Sequence, residues 1–513
     1  MNPSPELPDS NKGSEPSWLR RIADSANLMA AWERVRRNRG APGTDGESVA
    51  QFERRLPTGL PRIRQSLLEG SYLPHPVRAV DIPKPSCGVR TLGIPTVEDR
   101  VVQEAIAQVL TPVWERLFSP SSHGYRRGHD AQDAVSQVQQ HLVAGREWLV
   151  DLDIERFFDR IHHDRLLEAL KAHVQDDALL RLIRDFLEAG MVRGGYRLPS
   201  TEGTPQGSPL SPLLANIVLD AFDQHLDHQE QAFSRYADDV VLLCATEEEA
   251  RSALDDARCF LRERLNLALN ESKTRLCTPP EVTFLGFSFQ RDPAGAWRRC
   301  ISAASLESFR AQVDQMTCEE TAVPGEGDLL LRELAAYVHG WENYYRHPET
   351  STTVKRLRAH ARTALRRLFW CRWGSPERRV AELVRRGIPV DAARHLVQTC
   401  PDAATAAVHP VMGNALPNAY FASFGLGPET SPGSLPYGVV TPHSVKRASP
   451  GAPAGRRSSA VGGDNPDGPK PGGIGLHLGW WLSLGRFGAL RGTFEACAVP
   501  PSSPSKTVAG KSK

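Results

Sequence analysis

Between residues 148 and 290 the spacing of apolar side chains changes several times. Trp148-Leu-Val-Asp-Leu-Asp-Ile is a short apolar run of strand type, and residues 233–243 predict two short strands around Tyr236-Ala237-Asp238-Asp239. Residues 208–226 and 247–265 repeat their apolar positions at three- and four-residue steps, as amphipathic helices do, and residues 282–290 return to strand spacing. Strand, helix, hairpin, helix, strand is the order of a split βαβ sheet, so the pattern predicts an antiparallel sheet with helices on one face. Upstream, residues 18–37 predict one amphipathic helix ended by Gly40-Ala-Pro-Gly43, and residues 98–110 another. Residues 77–95 alternate apolar and polar around Lys84-Pro-Ser-Cys-Gly88, which predicts a hairpin with a basic tip.

From 329 to about 387 the period is helical throughout, interrupted at Gly374-Ser375-Pro376, and predicts a separate α-helical domain. The fold class is α+β. Residues 1–16 read as a disordered polar tail, 17–290 as the mixed domain and 291–425 as the helical one. Residues 426–513 turn to Pro, Gly, Ser and Ala and predict disorder, apart from an apolar island at 475–493.

The formal charge of +2 conceals an uneven distribution. Residues 355–386 hold eleven Lys or Arg against two Glu, an excess of nine, which leaves the remainder of the chain at −7. A polyanion would dock on that stretch. The nine cysteines are scattered, include no C-x-x-C pair and read as reduced cytosolic thiols, with no zinc-knuckle spacing among them. No run of eighteen apolar residues occurs, and the opening thirty residues lack an apolar leader core, so a cytoplasmic protein without membrane spans is expected.

Asp153 closes an apolar strand, and Asp238-Asp239 occupy the turn between two others. Acids on neighbouring strand ends suit two Mg²⁺ ions about 4 Å apart, the arrangement that nucleotidyl transfer uses. By itself, Asp238-Asp239 is equally a polar hairpin turn.

The wider set of motifs is more specific. Asp151-Leu-Asp-Ile-Glu-Arg-Phe-Phe-Asp, Gly203-Thr-Pro-Gln-Gly-Ser-Pro-Leu-Ser-Pro, Arg235-Tyr-Ala-Asp-Asp, Asn270-Glu-Ser-Lys-Thr and Phe284-Leu-Gly-Phe resemble, in order, the palm motifs of group II intron reverse transcriptases. Gly43-Thr-Asp-Gly, Ile82-Pro-Lys, Arg90-Thr-Leu-Gly-Ile-Pro and Ser122-His-Gly-Tyr-Arg-Arg-Gly resemble the fingers motifs of that family. The resemblance implies a right-hand polymerase of fingers and palm, followed by a thumb or maturase domain. It makes Asp153, Asp238 and Asp239 the ligands of two Mg²⁺ ions, with Asp239 the least direct and Asp151 the rival of Asp153. Lys273 becomes the proton donor to pyrophosphate. Lys84 and Arg90 become the triphosphate clamp, and Gln206 and Gly207 the loop beneath the nucleotide. Phe158 is the ring that rejects a 2′ hydroxyl, with Phe157 as the alternative. Phe284, Leu285 and Gly286 become the primer grip.

Gly340-Trp-Glu-Asn-Tyr-Tyr-Arg and the basic helix after it resemble the thumb of the same family. Lys355, Arg358, Arg362 and Arg366 recur at three- and four-residue steps near Trp370 and Trp373, a face that could follow an RNA backbone while rings stack on bases. The implied partners are an RNA template, a DNA primer, a structured group II intron RNA and a DNA target. The paired cysteines and histidines of a terminal endonuclease are not recognisable, so none is expected. Two departures from the family pattern stand out: Arg127 replaces the usual Pro, and His129-Asp130 the commoner Arg-Ser. Alternatives are a retron-like or other reverse transcriptase, and an RNA-binding splicing factor with a little-used polymerase site.

Overall fold

The computed structural model describes residues 17–83, 89–318 and 327–427. The hairpin tip with Lys84, the 1–16 segment, the apolar island at 475–493 and all but the first two residues of 426–513 lie outside them. In chain order the strands are β1 (Val77–Pro83), β2 (Val89–Ile94), β3 (Trp148–Asp153), β4 (Met191–Arg193), β5 (Tyr196–Leu198), β6 (Ala232–Tyr236), β7 (Asp239–Cys244), β8 (Arg275–Cys277), β9 (Phe287–Arg291) and β10 (Trp297–Ile301). The palm sheet has the order β6-β7-β3-β8, with every pair antiparallel. A fingers sheet runs β2-β1-β4-β5, its β1–β4 pair parallel, and β9 pairs with β10 alone.

Alternation along the central strands explains the packing. Val150 and Leu152 of β3 join Val240 and Leu242 of β7 in one core, beneath the helices Ser211–His228 and Glu247–Leu265. Leu149, Val241 and Leu243 face the other way, against Ala134, Val135 and Val138 of the helix Ala131–Val143. Both faces of the sheet are therefore covered, where the strand pattern predicted helices on one. Odd and even positions are both apolar, so each face needs a partner. Burying each such side chain contributes about 1.5–3 kcal/mol, which holds the β3–β7 register against a one-residue slip.

Local rules set several boundaries. The helix Glu247–Leu265 begins where Thr246 accepts the Glu249 N–H, has Glu247, Glu248 and Glu249 in its first turn, and ends with Arg262 and Arg264 in its last. The predicted helix over 18–37 is two helices, Trp18–Ile22 and Ser25–Asn38, because Asp24 accepts the N–H groups of Ala26 and Asn27 and starts a new helix. The predicted strand over 282–290 is also corrected. Leu285 and Gly286 both have positive φ, so strand begins only at Phe287, and β8 supplies the fourth palm strand instead. The β4–β5 hairpin went unpredicted, although Gly194-Gly195 between Val192 and Tyr196 is a turn signal for one.

Downstream of β10 the described chain is helical: Ala303–Met316, Gly327–Tyr344, Ser351–Trp373, Pro376–Arg385, Val390–Thr399 and three short helices ending at Ala422. No described helix is long and apolar enough to cross a membrane.

Candidate active site

The β3–β7 register places Asp153 opposite Asp239, and Tyr236 pairs with Asp239 across the hairpin, leaving Ala237 and Asp238 as a two-residue loop. Ala237 has φ 58° while Asp238 has no positive φ, the pattern of a type II′ turn, whose first position ordinarily favours Gly. Asp153 is anchored through its backbone: its N–H donates to Thr274 Oγ1 at 3.2 Å and its carbonyl accepts from Asn270 N at 2.8 Å. Lys273 Nζ lies 2.8 Å from Asp153 Oδ2, so the lysine of the Asn270-Glu-Ser-Lys motif is already at the carboxylate cluster. Asp151 shares the Asp153 face two residues back, but its carboxylate contacts Arg275 Nε at 3.5 Å.

The acids crowd one another. Surrounding protein pushes the Asp239 carboxyl up to about 7, and the charges of Asp238, Asp151 and Asp153 add to the shift while Lys273 opposes it. Asp239 is nonetheless open to water along one side, so the like charges are the part of that effect that hydration leaves standing. Burial likewise raises the Asp238 carboxyl, and Asp153 adds to this, whereas the Asp238 backbone N–H and the charge of Arg90 lower it.

Arg90 on β2 therefore sits within electrostatic reach of the carboxylates. The Gln206-Gly207 loop docks on the same strand, with Gly93 N donating to Gln206 O at 2.9 Å. Gly207, at φ 112°, passes so close that a Cβ would meet Gly93 O at 3.1 Å. The loop is tied on its other side to the Phe158 segment, through Thr204 N to Phe158 O at 2.8 Å. Phe157 is 2% exposed and belongs to the palm core, while Phe158 is half-buried with its ring edge-on to Tyr125. Tyr125 in turn feels Asp238, Arg90 and Asp239. Of the two rings, Phe158 is the one beside the cleft.

Sequence reasoning missed what holds the Asp238 turn. Arg235 is wholly buried and uses all of its donors. Its Nε donates to Asp223 Oδ1 at 2.7 Å, Nη1 to Asn216 Oδ1 and to the Ala237 carbonyl at 2.9 Å each, and Nη2 to Ser122 Oγ at 2.6 Å and to Asp223 Oδ2. Asn216 Nδ2 donates to Gly124 O at 2.8 Å, and a Cβ on Gly124 would lie 2.2 Å from Ala237 N. A strap of fingers residues thus lies directly under the Asp238 hairpin. The signal was present: Asn216 and Asp223, seven residues apart, put two polar groups on one helix face among the apolar Leu213, Leu219, Phe222 and Leu226.

Phe284, Leu285 and Gly286 form a tight turn closed by reciprocal Phe284–Phe287 backbone bonds of 2.9 Å. Positive φ at both central residues makes it a type I′ pattern. Tyr344 Oη of the helical domain donates to Leu285 O at 2.9 Å, and a Cβ on Gly286 would lie 2.2 Å from Tyr345 Oη.

The basic helix face is not the open surface that its spacing suggested. Arg358 pairs with Glu342 and donates to Gly427 O at 2.6 Å, Arg362 donates to Leu426 O at 3.1 Å, and Arg366 Nη2 to Leu416 O at 2.9 Å and Asn418 Oδ1 at 3.1 Å. Leu416 follows the short helix Pro410–Ala415, and Leu426 and Gly427 follow Asn418–Ala422, so the three arginines tie the chain after these helices to the long basic one. Trp370 and Trp373 are buried at 0% and 6% exposure and cannot stack on a base. Lys355, Arg356, Arg378 and Arg385 are the exposed cations of the segment.

Residues 82–289 match the family described as reverse transcriptase (RNA-dependent DNA polymerase), and residues 306–387 match the group II intron, maturase-specific domain. Protein YkfC of Escherichia coli K12 is 31% identical over 62% of this chain and 92% of its own length. The group II intron-encoded protein LtrA of Lactococcus lactis is 37% identical over 34% of this chain, and the putative COX1/OXI3 intron 1 protein of Saccharomyces cerevisiae 27% identical over 52%. The chain spans only 29% and 38% of those two longer relatives. A carboxylate-tipped palm hairpin, a fingers hairpin beside it and a maturase-type helical domain in that order place the chain in the family of group II intron-encoded reverse transcriptases and maturases, with an RNA-directed DNA polymerase domain at its centre.

Proposed function

We propose that the chain is a cytoplasmic RNA-templated DNA polymerase that extends a primer 3′ hydroxyl with dNTPs, and a maturase that binds a structured group II intron RNA and delivers it to a DNA target. The observation that carries the first part is the register setting Asp153 opposite Asp239 beside Asp238. An all-carboxylate donor set suits a hard cation, and carboxyls that push one another up are relieved by one. Asp153, Asp238 and Asp239 would hold two Mg²⁺. Bound there, the ions would activate the 3′ hydroxyl and neutralise the leaving pyrophosphate. Lys273, already at Asp153, would carry a proton to the departing phosphate. Arg90, with Lys84, would hold the triphosphate against the palm. Gly207, without a side chain where the loop crosses β2, would keep that loop seated beneath the nascent base pair, and the Leu285–Gly286 turn would seat the primer end. Extension of a DNA primer on an RNA template in Mg²⁺ tests the reading; a purified chain that adds no nucleotide above a protein-free control overturns it.

Phe158 would exclude ribonucleotides by occupying the space of a 2′ hydroxyl. Phe158→Ala is expected to extend with rNTPs where the parent chain does not, while dNTP incorporation persists. If discrimination is unchanged, Phe158 has no such role.

For the RNA partner, the arginines at 358, 362 and 366 are committed to backbone carbonyls, so exposed cations would make the phosphate contacts. Replacing Arg356, Arg378 and Arg385 with Gln is expected to flatten the log-log salt dependence of intron RNA binding by about two to three units, at roughly 0.7–0.9 per contact. Replacing Arg358, Arg362 and Arg366 should instead lower the melting temperature. Filter binding across a salt series, paired with thermal melts, separates the two sets, and a parental slope in the first triple variant removes that surface from RNA contact.

A further inference from the structure

The strap beneath the catalytic hairpin carries a cluster that polymerisation does not use. His123 Nδ1 and His129 Nδ1 face each other at 3.3 Å, and one ring nitrogen of each histidine and a carboxylate oxygen of Asp133 all lie within 4.8 Å of one another. His129 is one of the positions where the chain departs from the family pattern. The three residues fall within a stretch of eleven, running from the strap into the first turn of the helix Ala131–Val143.

We propose that His123, His129 and Asp133 form a binding site for a borderline transition-metal ion of the Zn²⁺ class. Three features of the cluster carry it. First, the tautomer of His123 is set. Gln137 Nε2 donates to Ser121 Oγ at 2.9 Å, which turns the Gln137 carbonyl toward His123 Nε2 at 2.8 Å. His123 Nε2 therefore bears the proton, and the Nδ1 lone pair points at His129. Orientation of a liganding imidazole by a hydrogen bond on its other nitrogen is the usual outer support of a metal site. Second, the separation fits. Two metal–nitrogen bonds of about 2.05 Å at a tetrahedral angle put the nitrogens about 3.3 Å apart, whereas direct hydrogen bonds centre nearer to about 2.9–3.0 Å. Third, access grades outward: His123 is 6% exposed, His129 half-buried and Asp133 exposed, so an ion and a water ligand can enter from the Asp133 side. One Asp133 oxygen accepts the Asp130 N–H at 2.8 Å, leaving the other for the ion.

Such an ion would fasten the strap to the helix Ala131–Val143. That strap holds Gly124 against Ala237, and the helix reaches the thumb through Gln132 Nε2, which donates to Tyr344 O at 2.7 Å. The role is structural, joining fingers, palm hairpin and thumb at one point, and is separate from the hard-cation site at the carboxylates.

The experiment uses the full chain, stripped with chelator and held in excess Mg²⁺ to occupy the carboxylates. Co²⁺ titration should give one equivalent with the intense visible absorption of a four-coordinate nitrogen and oxygen site, displaced by Zn²⁺, and Zn²⁺ should raise the melting temperature by several degrees. His129→Gln and Asp133→Asn should each lose both responses, while Asp238→Asn keeps them. Circular dichroism of the metal-free variants establishes that they are folded. The proposal is overturned if the parent chain shows no such band, if both ligand variants retain it, or if it disappears in Asp238→Asn, which would place the ion at the polymerase carboxylates.

Discussion

Asp238→Ala is expected to eliminate primer extension, a loss on the order of 10³-fold or more, while leaving the fold intact. The side chain lost is a proposed cation ligand, and Asp153 and Asp239 alone supply too few oxygens for two ions. The turn itself should survive, because the Arg235 guanidinium holds the Ala237 carbonyl and not the Asp238 side chain. Stability provides an independent readout. A carboxyl raised by the fold is favoured there in its protonated form, so its contribution is present at low pH and is lost as pH rises through the folded value. For Asp239 that window opens at about 4, the unperturbed range, and closes short of about 7, because hydration leaves only the like-charge share of the rise. Metal-free Asp239→Asn should therefore melt above the parent chain by a margin that opens across this window and stays constant above it. Near-parental extension by Asp238→Ala would remove the carboxylates from the chemistry. A margin independent of pH would mean that crowding does not perturb Asp239.

Asp223→Ala is expected to destabilise the chain by about 3–5 kcal/mol, because it leaves the wholly buried Arg235 without a counter-charge. Chemical denaturation measures this directly. The double variant Arg235→Met with Asp223→Leu separates the two jobs of the pair. Replacing both charges with apolar groups of similar volume commonly recovers the lost stability. It cannot restore the bond to the Ala237 carbonyl, so extension should stay impaired in a protein that is stable again. Full activity in the double variant would show that Arg235 merely fills space, and a single variant as stable as the parent would show that the pair is not isolated from water.

The parts of this molecule legible in its sequence are those governed by neighbours along the chain. Thr246 and the glutamates after it start a helix wherever they stand, and the apolar run ending at Asp153 is a strand by composition alone. Arg235 was opaque for the opposite reason: beside Tyr236-Ala237-Asp238-Asp239 it resembles a substrate-facing cation, and only the approach of the helix bearing Asn216 and Asp223 makes it internal. The arginines at 358, 362 and 366 were legible only as a set, not by what they bond. Their spacing establishes a shared helix face, but a backbone carbonyl such as that of Leu416 leaves no trace in charge or composition, so the partner of that face could not be read. The strand β8 was too short, at three residues, for alternation to register.

The contact between Gly124 and Ala237 bears on how this sequence can drift. Ala237 sits at φ 58°, where a branched or bulky residue is strained, and the backbone N of Ala237 occupies the space that any side chain at 124 would need. Two positions more than a hundred residues apart are thereby confined together to the smallest side chains. A lineage could enlarge one of them only after the strap or the hairpin had moved, and the hairpin carries Asp238. Saturation libraries at 124 and 237 should consequently be nearly barren, however permissive the surrounding loops prove to be.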